Sequence, residues 1–585
     1  MQRHEFTITL TVRAPVLCAG LGQPAFGVDA EFIRNEQGVP IIPRDHIKGQ
    51  VRDALETLMK AGEDAITQDL LDDWLGRKPD EGDYQPHSGR FLFDDLAFTS
   101  KPDEPDFYYP RVQINEKTGA ADEGMLAFFE QIAPPGAELT FEGKLTAFVD
   151  NAEAEFLVET LNKALRLIPA IGAMKSAGFG EVVSAKVERS LDARLGTAGE
   201  NIPDSITFDV IFDRPVLFDA VHEADNLVVG QPIIPGAAIK GALAWLLQRM
   251  GENPAKNEAL SKMLVSHAFP LDRNGLRELE HPIPLCMASY LAGDKKFAFR
   301  CHLGVNDEDL LLNGNLPTYA PDWKTAAFEA ARKVLGYPPE ERIRRLQRTR
   351  VKITYETGTA KDQALFTEVA LSECIDGKVD HKRRWRFTIH RNGADREEFG
   401  KLAGLIRQGL WNMGRTNAAM QVVDVRKAPA CTPKPFDGAE DTFAIMLLTP
   451  AVMTDALKAC DGSLQWHTEA KKAYAAYWKE VLGKDVKLVD FMASQRWAGR
   501  YAAMRFRPYG DGYYPFMLTE PGSVFLLKGK GLKEKLEKLA TCHLPHAKLD
   551  KKAVSWRTSP FVPENGYGRF RFITRAEMEG EGSHA

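Results

Sequence analysis

With 585 residues, 44% of them hydrophobic and 27% charged, the chain has an ordinary globular composition and the length of three or four domains. No apolar run approaches the ~20 residues of a membrane span, and the opening MQRHEFTITLTV lacks a signal-peptide layout, so a cytoplasmic protein with no membrane partner is expected. A net charge of −6 argues against a protein that coats nucleic acid indiscriminately, since such domains are basic.

The alternation from Phe6 to Val16 predicts a strand, followed by a helix over Lys48 to Met59 and a second strand over Gly89 to Phe98. Arg111 to Phe129 is turn-rich and reads as an extended hairpin or loop. A strand over Ala137 to Phe148, a helix over Glu153 to Leu167 and a strand over Gly180 to Glu188 complete a strand–helix–strand–strand–helix–strand series, the ferredoxin-like order. Residues 193–205 are a linker by composition. The series then restarts with a strand at Ile206 to Phe218, a helix at Ile239 to Met250, a strand at Arg384 to His390, a helix at Phe399 to Trp411 and a strand at Gln421 to Val425. Residues 251–383 read as an insertion of mixed helix and loop, and 426–441 as a second linker. The last stretch gives a strand over Thr442 to Thr449, a helix over Thr468 to Val481, a strand over Ser523 to Leu527 and a helix over Leu532 to Ala540. The expected fold is therefore α+β, with three ferredoxin-like units in tandem at 1–192, 206–425 and 442–585, carrying loop and helical insertions.

Duplication is visible in the letters. PIIPRDHIKG (Pro40–Gly49) returns as PIIPGAAIKG (Pro232–Gly241), each opening a helical pattern. Each is followed much later by a glycine-bearing turn, AIGAMKSAGFGEV at Ala170–Val182 and NMGRTNAAMQVV at Asn412–Val423. A third such turn, ENGYGRFRF, ends the chain at Glu564–Phe572. Glycines let a backbone approach a phosphate closely, and Lys175 adds a point charge within the first turn. A dinucleotide fingerprint does not fit, because here a helix leads in and a strand follows. Two basic runs, Arg342–Lys352 and His381–Arg386, read as solvated faces or local phosphate tracks. Tyr509, Tyr513, Tyr514 and Trp385 are candidates for base stacking, with core packing as the plainer reading. Seven cysteines (Cys18, Cys286, Cys301, Cys374, Cys431, Cys460, Cys542) include no CxxC pair, which predicts reduced structural thiols and no zinc site.

PIIPGxxIKG after a first strand, with a late AGFGEV-type loop, resembles the RAMP superfamily of CRISPR effector subunits. Residues 1–192 resemble the backbone subunit of type III complexes through AFGVDAEFIRNEQGVPIIPRDHIKG, GRFLFDDLAF, YYPRVQINEKTGAADEGMLAFFEQIAPPGAELTFEG and the glycine loop. Residues 205–585 resemble the double-ferredoxin member of type III-D systems that caps the guide's 5′ handle, through QPIIPGAAIKGALAWLL, ETGTAKDQALFTEVAL, PGSVFLLKG and GYGRFRF. Arg44-Asp45-His46 departs from the small residues usual there, and Asn417-Ala-Ala-Met420 replaces the GFG of the second loop. The resemblance implies a fusion that binds crRNA and target RNA beside a large polymerase/nuclease-like subunit, further backbone RAMPs and a small subunit. It places Arg44, His46, Lys48, Arg52, Arg111, Gly172, Lys175, Gly178, Gly180, Lys240, Arg415, Gly566, Gly568 and Arg569 at RNA. It makes Asp29, with Mg²⁺ or Mn²⁺, the catalytic and metal-binding residue for target cleavage, with Glu31 able to assist. A capping aspartate is the plainer reading of Asp29. Two alternatives stand beside it: a non-catalytic scaffold, and a precursor-processing endoribonuclease with His46 or His467 as general base.

Overall fold

The computed structural model describes residues 2–20, 27–77, 87–99, 107–194, 203–218, 221–224, 226–292, 296–305, 310–353, 360–429, 432–455, 466–499, 501–506, 513–550 and 552–579. Its elements are mixed helix and largely antiparallel sheet.

In the first strand, Gln2–Arg13, Phe6, Ile8, Leu10 and Val12 are buried while the threonines between them are only partly covered. Period-two burial of this kind fixes one face of a sheet on a core. The strand pairs antiparallel with Glu181–Arg194 on one side and Glu138–Val149 on the other. Glu138–Val149 in turn pairs with Phe91–Phe93 and Leu96–Phe98. In chain order the sheet therefore runs fourth, first, third, second. The helix Arg44–Lys60 buries Ile47, Val51, Ala54 and Leu55, one helical stripe, and Asn151–Leu165 packs beside it.

The same strand order occurs twice more. Ser205–Phe212 lies between Ala418–Lys427 and Trp385–His390, and the latter carries the short strands Leu264–Val265 and Phe269–Pro270. Thr442–Leu447 lies between Phe570–Ile573 and Val524–Lys528, which pairs with Lys487–Met492. The helices that open after PIIP share one entry geometry: Pro43 and Pro235 both cap with φ −60° and ψ 137°. A proline at the cap cannot continue a helix backwards, so both helices begin at a fixed residue.

Three expectations need correction. Residues 251–383 are not mainly helix and loop. They hold the second sheet's short strands, the three-stranded sheet of Met287–Ala292, Lys296–Cys301 and Thr318–Tyr319, and the long pair Arg345–Ile353 with Ala360–Leu371. The helix expected to reach Trp411 ends at Gln408, because Gly409 takes φ +111° and Leu410–Met413 joins the sheet. Lys487–Met492 and Phe570–Ile573, which complete the third sheet, had no counterpart among the expected elements.

The repeats do not fold as separate beads. Leu92 and Phe148 of the first sheet sit in the second repeat's core. The Phe148 ring meets Trp245 at 5.0 Å and Trp411 at 5.4 Å, both edge to face. The third sheet is covered on its second face by Cys286, Cys301 and Leu303 from residues 251–383.

Candidate nucleic-acid interface

Each first strand runs into a proline segment (Ala14-Pro15-Val16-Leu17, Arg214-Pro215-Val216-Leu217, Thr449-Pro450-Ala451-Val452), and each glycine turn docks on it. Gly180 N–H donates to the Pro15 carbonyl at 2.7 Å and Ala173 N–H to Leu17 at 2.7 Å. Arg415 N–H reaches Leu217 at 3.1 Å, and Gly568 N–H reaches Pro450 at 2.9 Å. This recurring proline tetrapeptide is a sequence signal for the docking, additional to the glycine turns themselves.

The turns are alike in backbone and unlike in surroundings. In the first, a 3₁₀ turn at Lys175–Ala177 ends on Gly178 in the left-handed region. A Cβ on Gly178 would meet nothing within 4 Å, and both Gly178 and Lys175 are exposed. Gly172 and Gly180 serve packing instead, since a Cβ on either would lie 2.5 Å from the Leu17 carbonyl oxygen or 1.9 Å from that of Ile171. The terminal turn repeats the 3₁₀-then-glycine geometry at Pro563–Asn565 and Gly566. Here, however, Gly566, Tyr567 and Gly568 are all buried. A Cβ on Gly566 would meet His267 Nδ1 at 2.5 Å, and one on Gly568 would meet the Leu544 carbonyl at 2.7 Å. Where Gly566 and Gly568 were expected against a guide's 5′ end, the close approach they permit is to protein: Gly566 to His267 of the second repeat, Gly568 to Leu544 within the third. Arg569 is turned the same way, with its guanidinium 5.4 Å from the Phe269 ring centre and 3.4 Å from Glu278.

Three further cations expected at RNA are committed within the protein. Arg44 is buried and hydrogen-bonds the Thr416 carbonyl of the second glycine turn, joining the first two repeats. Arg52 donates to the Gly76 carbonyl at 2.5 Å and lies 3.8 Å from Asp72. Lys240 places its Nζ 3.0 Å from the Met263 carbonyl and 3.5 Å from that of Glu564, and burial pushes its pKa down to about 8. Helix-borne cations at a repeat junction satisfy the carbonyls that the turns leave over. Arg415 is half exposed and lies 3.6 Å from Glu368.

Part of each basic run is likewise taken up, while Arg342, Arg344 and Arg345 stay exposed. Arg348 pairs with Asp95 at 3.0 Å and Arg350 with Glu368 at 2.9 Å and with Asp45, so this run ties the second repeat to the first. Arg383 is buried against Glu341 at 2.7 Å, and Arg386 forks onto the fully buried Asp209 at 2.7 and 2.9 Å. Trp385 is core. Tyr513 and Tyr514 are exposed, whereas Tyr509 and the His467 side chain lie outside the described residues.

One group does come together on the first repeat. The hairpin of Phe107–Ile114 with Ala121–Gln131 leans on the glycine turn through Tyr109 and Phe179, edge to face at 5.5 Å, and through Arg111, 3.4 Å from Met174 Sδ. Lys175, next along, donates to Gln50 Oε1 of the first helix at 2.9 Å. His46 receives the Gly172 N–H on Nε2 at 2.9 Å, and burial, with Lys175 nearby, lowers its pKa to about 4. Lys48 is half-buried on the same helix, and burial lowers its pKa too. On the hairpin's other strand, Phe128 clasps Asp29. The Phe128 N–H donates to Asp29 Oδ2 at 2.7 Å and the Asp29 N–H donates to the Phe128 carbonyl at 2.9 Å. Glu130 fixes the rest of that loop by accepting from Phe32 N–H at 2.5 Å and from Arg34. Asp29 thus ties its loop to a distant strand rather than capping its own turn, and it is exposed. Among the described residues, no group of three His, Cys, Asp or Glu ligands includes it.

The model of the RAMP superfamily matches residues 9–183. No curated protein matches the chain. Among solved structures, a chain of "the Type III-B Cmr-beta bound to cognate target RNA" is similar at 18% identity and TM-score 0.24, over 32% of this chain and 61% of its own length. A chain of the same assembly with AMPPnP, state 1, is similar at 15% identity and TM-score 0.28, over 55% and 86%. The chain thus spans 61% of the first of these two. At such TM-scores neither likeness bears on fold or function.

Proposed function

From the match of residues 9–183 to the RAMP superfamily model, we propose that the chain is an RNA-binding subunit of a type III CRISPR effector complex, made of three RAMP-type ferredoxin-like units. The observation that carries the reading is the contrast between the glycine turns. Only the first leaves a left-handed glycine, Gly178, open beside an exposed lysine, Lys175. An accessible backbone turn with an adjacent ammonium suits a phosphate, and Arg111 and Lys48 flank the same place. The guide RNA runs over this face of the first unit. The hairpin beside it exposes Tyr108, Val112, Ile114, Met125 and Leu126, an apolar strip that suits the other subunits or the bases of the paired target. The neighbours are the large polymerase/nuclease-like subunit, further backbone RAMPs and the small subunit. Recognition of the guide's 5′ handle falls to surfaces other than the terminal turn.

Lys175→Glu in the full chain tests the reading. The substitution should weaken guide RNA binding and flatten the log–log salt slope by about 0.7 for each phosphate no longer neutralised. Wild-type affinity and slope in this variant would remove the turn from the interface.

Target cleavage centres on Asp29. Phe128 holds its backbone N–H and one carboxylate oxygen, and the residue is exposed at the base of the hairpin. A hard carboxylate oxygen suits Mg²⁺ or Mn²⁺, but a single carboxylate makes no cage, so an ion here would share its sphere with RNA phosphates. Bound there, the ion would favour attack by a ribose 2′-hydroxyl; the chain's own part is to fix the carboxylate beside the target. In the assembled complex with Mg²⁺ or Mn²⁺, Asp29→Ala should abolish one target cut and leave target affinity near wild type. Gel analysis of labelled target decides it, and unchanged cutting at every position would leave the non-catalytic scaffold. The processing alternative finds less support, because the His46 lone pair is occupied by Gly172 N–H.

A further inference from the structure

We propose that Glu36, Glu373 and Cys374 form a binding site for a divalent cation of the zinc class that bridges the first and second repeats. One ligand atom from each lies within 4.8 Å of the others. Glu36 sits in the Asn35–Val39 turn of the first repeat, and Glu373 and Cys374 follow the strand Ala360–Leu371 in the second. Both glutamates line a cavity of about 830 Å³ between the two repeats.

Proximity of acids alone proves nothing; their state of satisfaction adds to it. Glu373 is 8% exposed, and its Oε2 is buried with no hydrogen-bond partner among the described residues. Glu36 uses Oε2 to accept from Ser372 Oγ at 2.7 Å, while its Oε1 is likewise buried and unpartnered. Each glutamate thus keeps a buried oxygen without a partner in a cluster that also holds the thiol, with the Lys382 charge acting on Glu373 and Cys374 from nearby. A buried charge persists only when paired, so such a group must share protons or hold a cation. Burial and the Glu36 charge push Glu373 up to about 7, and burial with both carboxylates pushes the Cys374 thiol up to about 12.

The donor set selects the ion. One sulfur with two carboxylates is too soft for Mg²⁺ and suits Zn²⁺, which takes three protein ligands and leaves a fourth place for water. The cavity supplies room for that water. Binding displaces the thiol proton and whichever proton the carboxylates share, and these pass to solvent. Secondary positioning is already present: the Ser372 hydroxyl bonds both Glu36 and the Cys374 carbonyl, the latter at 3.1 Å, and its oxygen receives the Cys374 N–H at 3.0 Å. No CxxC spacing announces this site, because its ligands come from different repeats; the expectation that the chain holds no zinc site is what this proposal reverses.

The test is metal titration of the full chain after chelation, with Co²⁺ as the spectroscopic probe and Zn²⁺ as its competitor. One Co²⁺ per chain should bind with a thiolate-to-cobalt charge-transfer band that Zn²⁺ bleaches. Cys374→Ser should lose the band, and Glu373→Gln should lower affinity more than about 100-fold, beyond what outer-shell changes cost. Hydrogen exchange on the same samples should show Zn²⁺ protecting residues 35–39 and 372–378 together in the wild type and not in Glu373→Gln. No band in the wild-type chain, or an equal band in Cys374→Ser, overturns the proposal, the second by placing the metal elsewhere. Should Cys374→Ser misfold, Glu36→Gln with Glu373→Gln replaces it, and undiminished binding there is equally fatal.

Discussion

Gly180→Val should locally unfold the first repeat. Gly180 takes φ +70°, which costs an L-residue about 1–2 kcal/mol, more if β-branched. The greater cost is steric, since the new Cβ would stand 1.9 Å from the Ile171 carbonyl oxygen, a backbone atom that cannot swing aside. Relief would break the Gly180 N–H bond to Pro15 and the Ile171 N–H bond to Gly180, which hold the turn to the first strand. The total loss should reach about 4 kcal/mol, at the exceptional end for one substitution. Gly178→Ala is the control, with a similar φ of +83° and open space around its Cβ, and should cost about 1 kcal/mol. Hydrogen exchange in the full chain separates them: amides of Gln2–Arg13 and Glu181–Arg194 should lose protection in Gly180→Val and keep it in Gly178→Ala. Equal protection in both would mean that the turn is more pliable than its packing implies.

Asp209→Ala should be nearly as damaging to the second repeat. Asp209 is fully buried in the central strand Ser205–Phe212 and holds Arg386 on one neighbouring strand and Arg426, at 2.5 Å, on the other. Taking away one partner of a buried pair leaves the other charge uncompensated, a loss of about 3 kcal/mol. Asp209→Asn keeps the shape and some hydrogen bonding, so it should fall between wild type and alanine. The denaturation midpoint of the transition that exposes Trp385 reports the order. Alanine matching wild type would show that solvent reaches Arg386 and Arg426 well enough to make the carboxylate dispensable.

How far the sequence could lead is clearest at the glycine turns. Their number and order were legible, because a left-handed turn after a 3₁₀ turn demands glycine or asparagine whatever surrounds it. Even the degenerate second copy obeys this, with Asn412 at φ +59° and Asn417 at φ +50° alongside Gly414 at +63°. What each turn faces was not legible, since Gly178 and Gly566 have the same local grammar and opposite surroundings. Single arginines of the basic runs mislead for the same reason: Arg348 and Arg386 look like phosphate ligands until Asp95 and Asp209 arrive from distant strands. Asp29 was found only through a family resemblance, and its grip on Phe128 depends on a hairpin about a hundred positions away. The strand Lys487–Met492 escaped notice because charged and apolar residues mix along its six positions without strict alternation.

The Phe148 ring, lodged between Trp245 and Trp411, has a consequence for assembly. Two successive repeats that share core residues dock like subunits of an obligate dimer, so their mutual orientation is set by packing and not by the connecting peptide. The covalent link adds an effective concentration on the order of mM, and with it a fixed one-to-one count. In a filament built by adding separate copies, length follows supply and the last position is filled by chance. Here the first repeat's exposed turn always arrives with the second repeat already seated on one side.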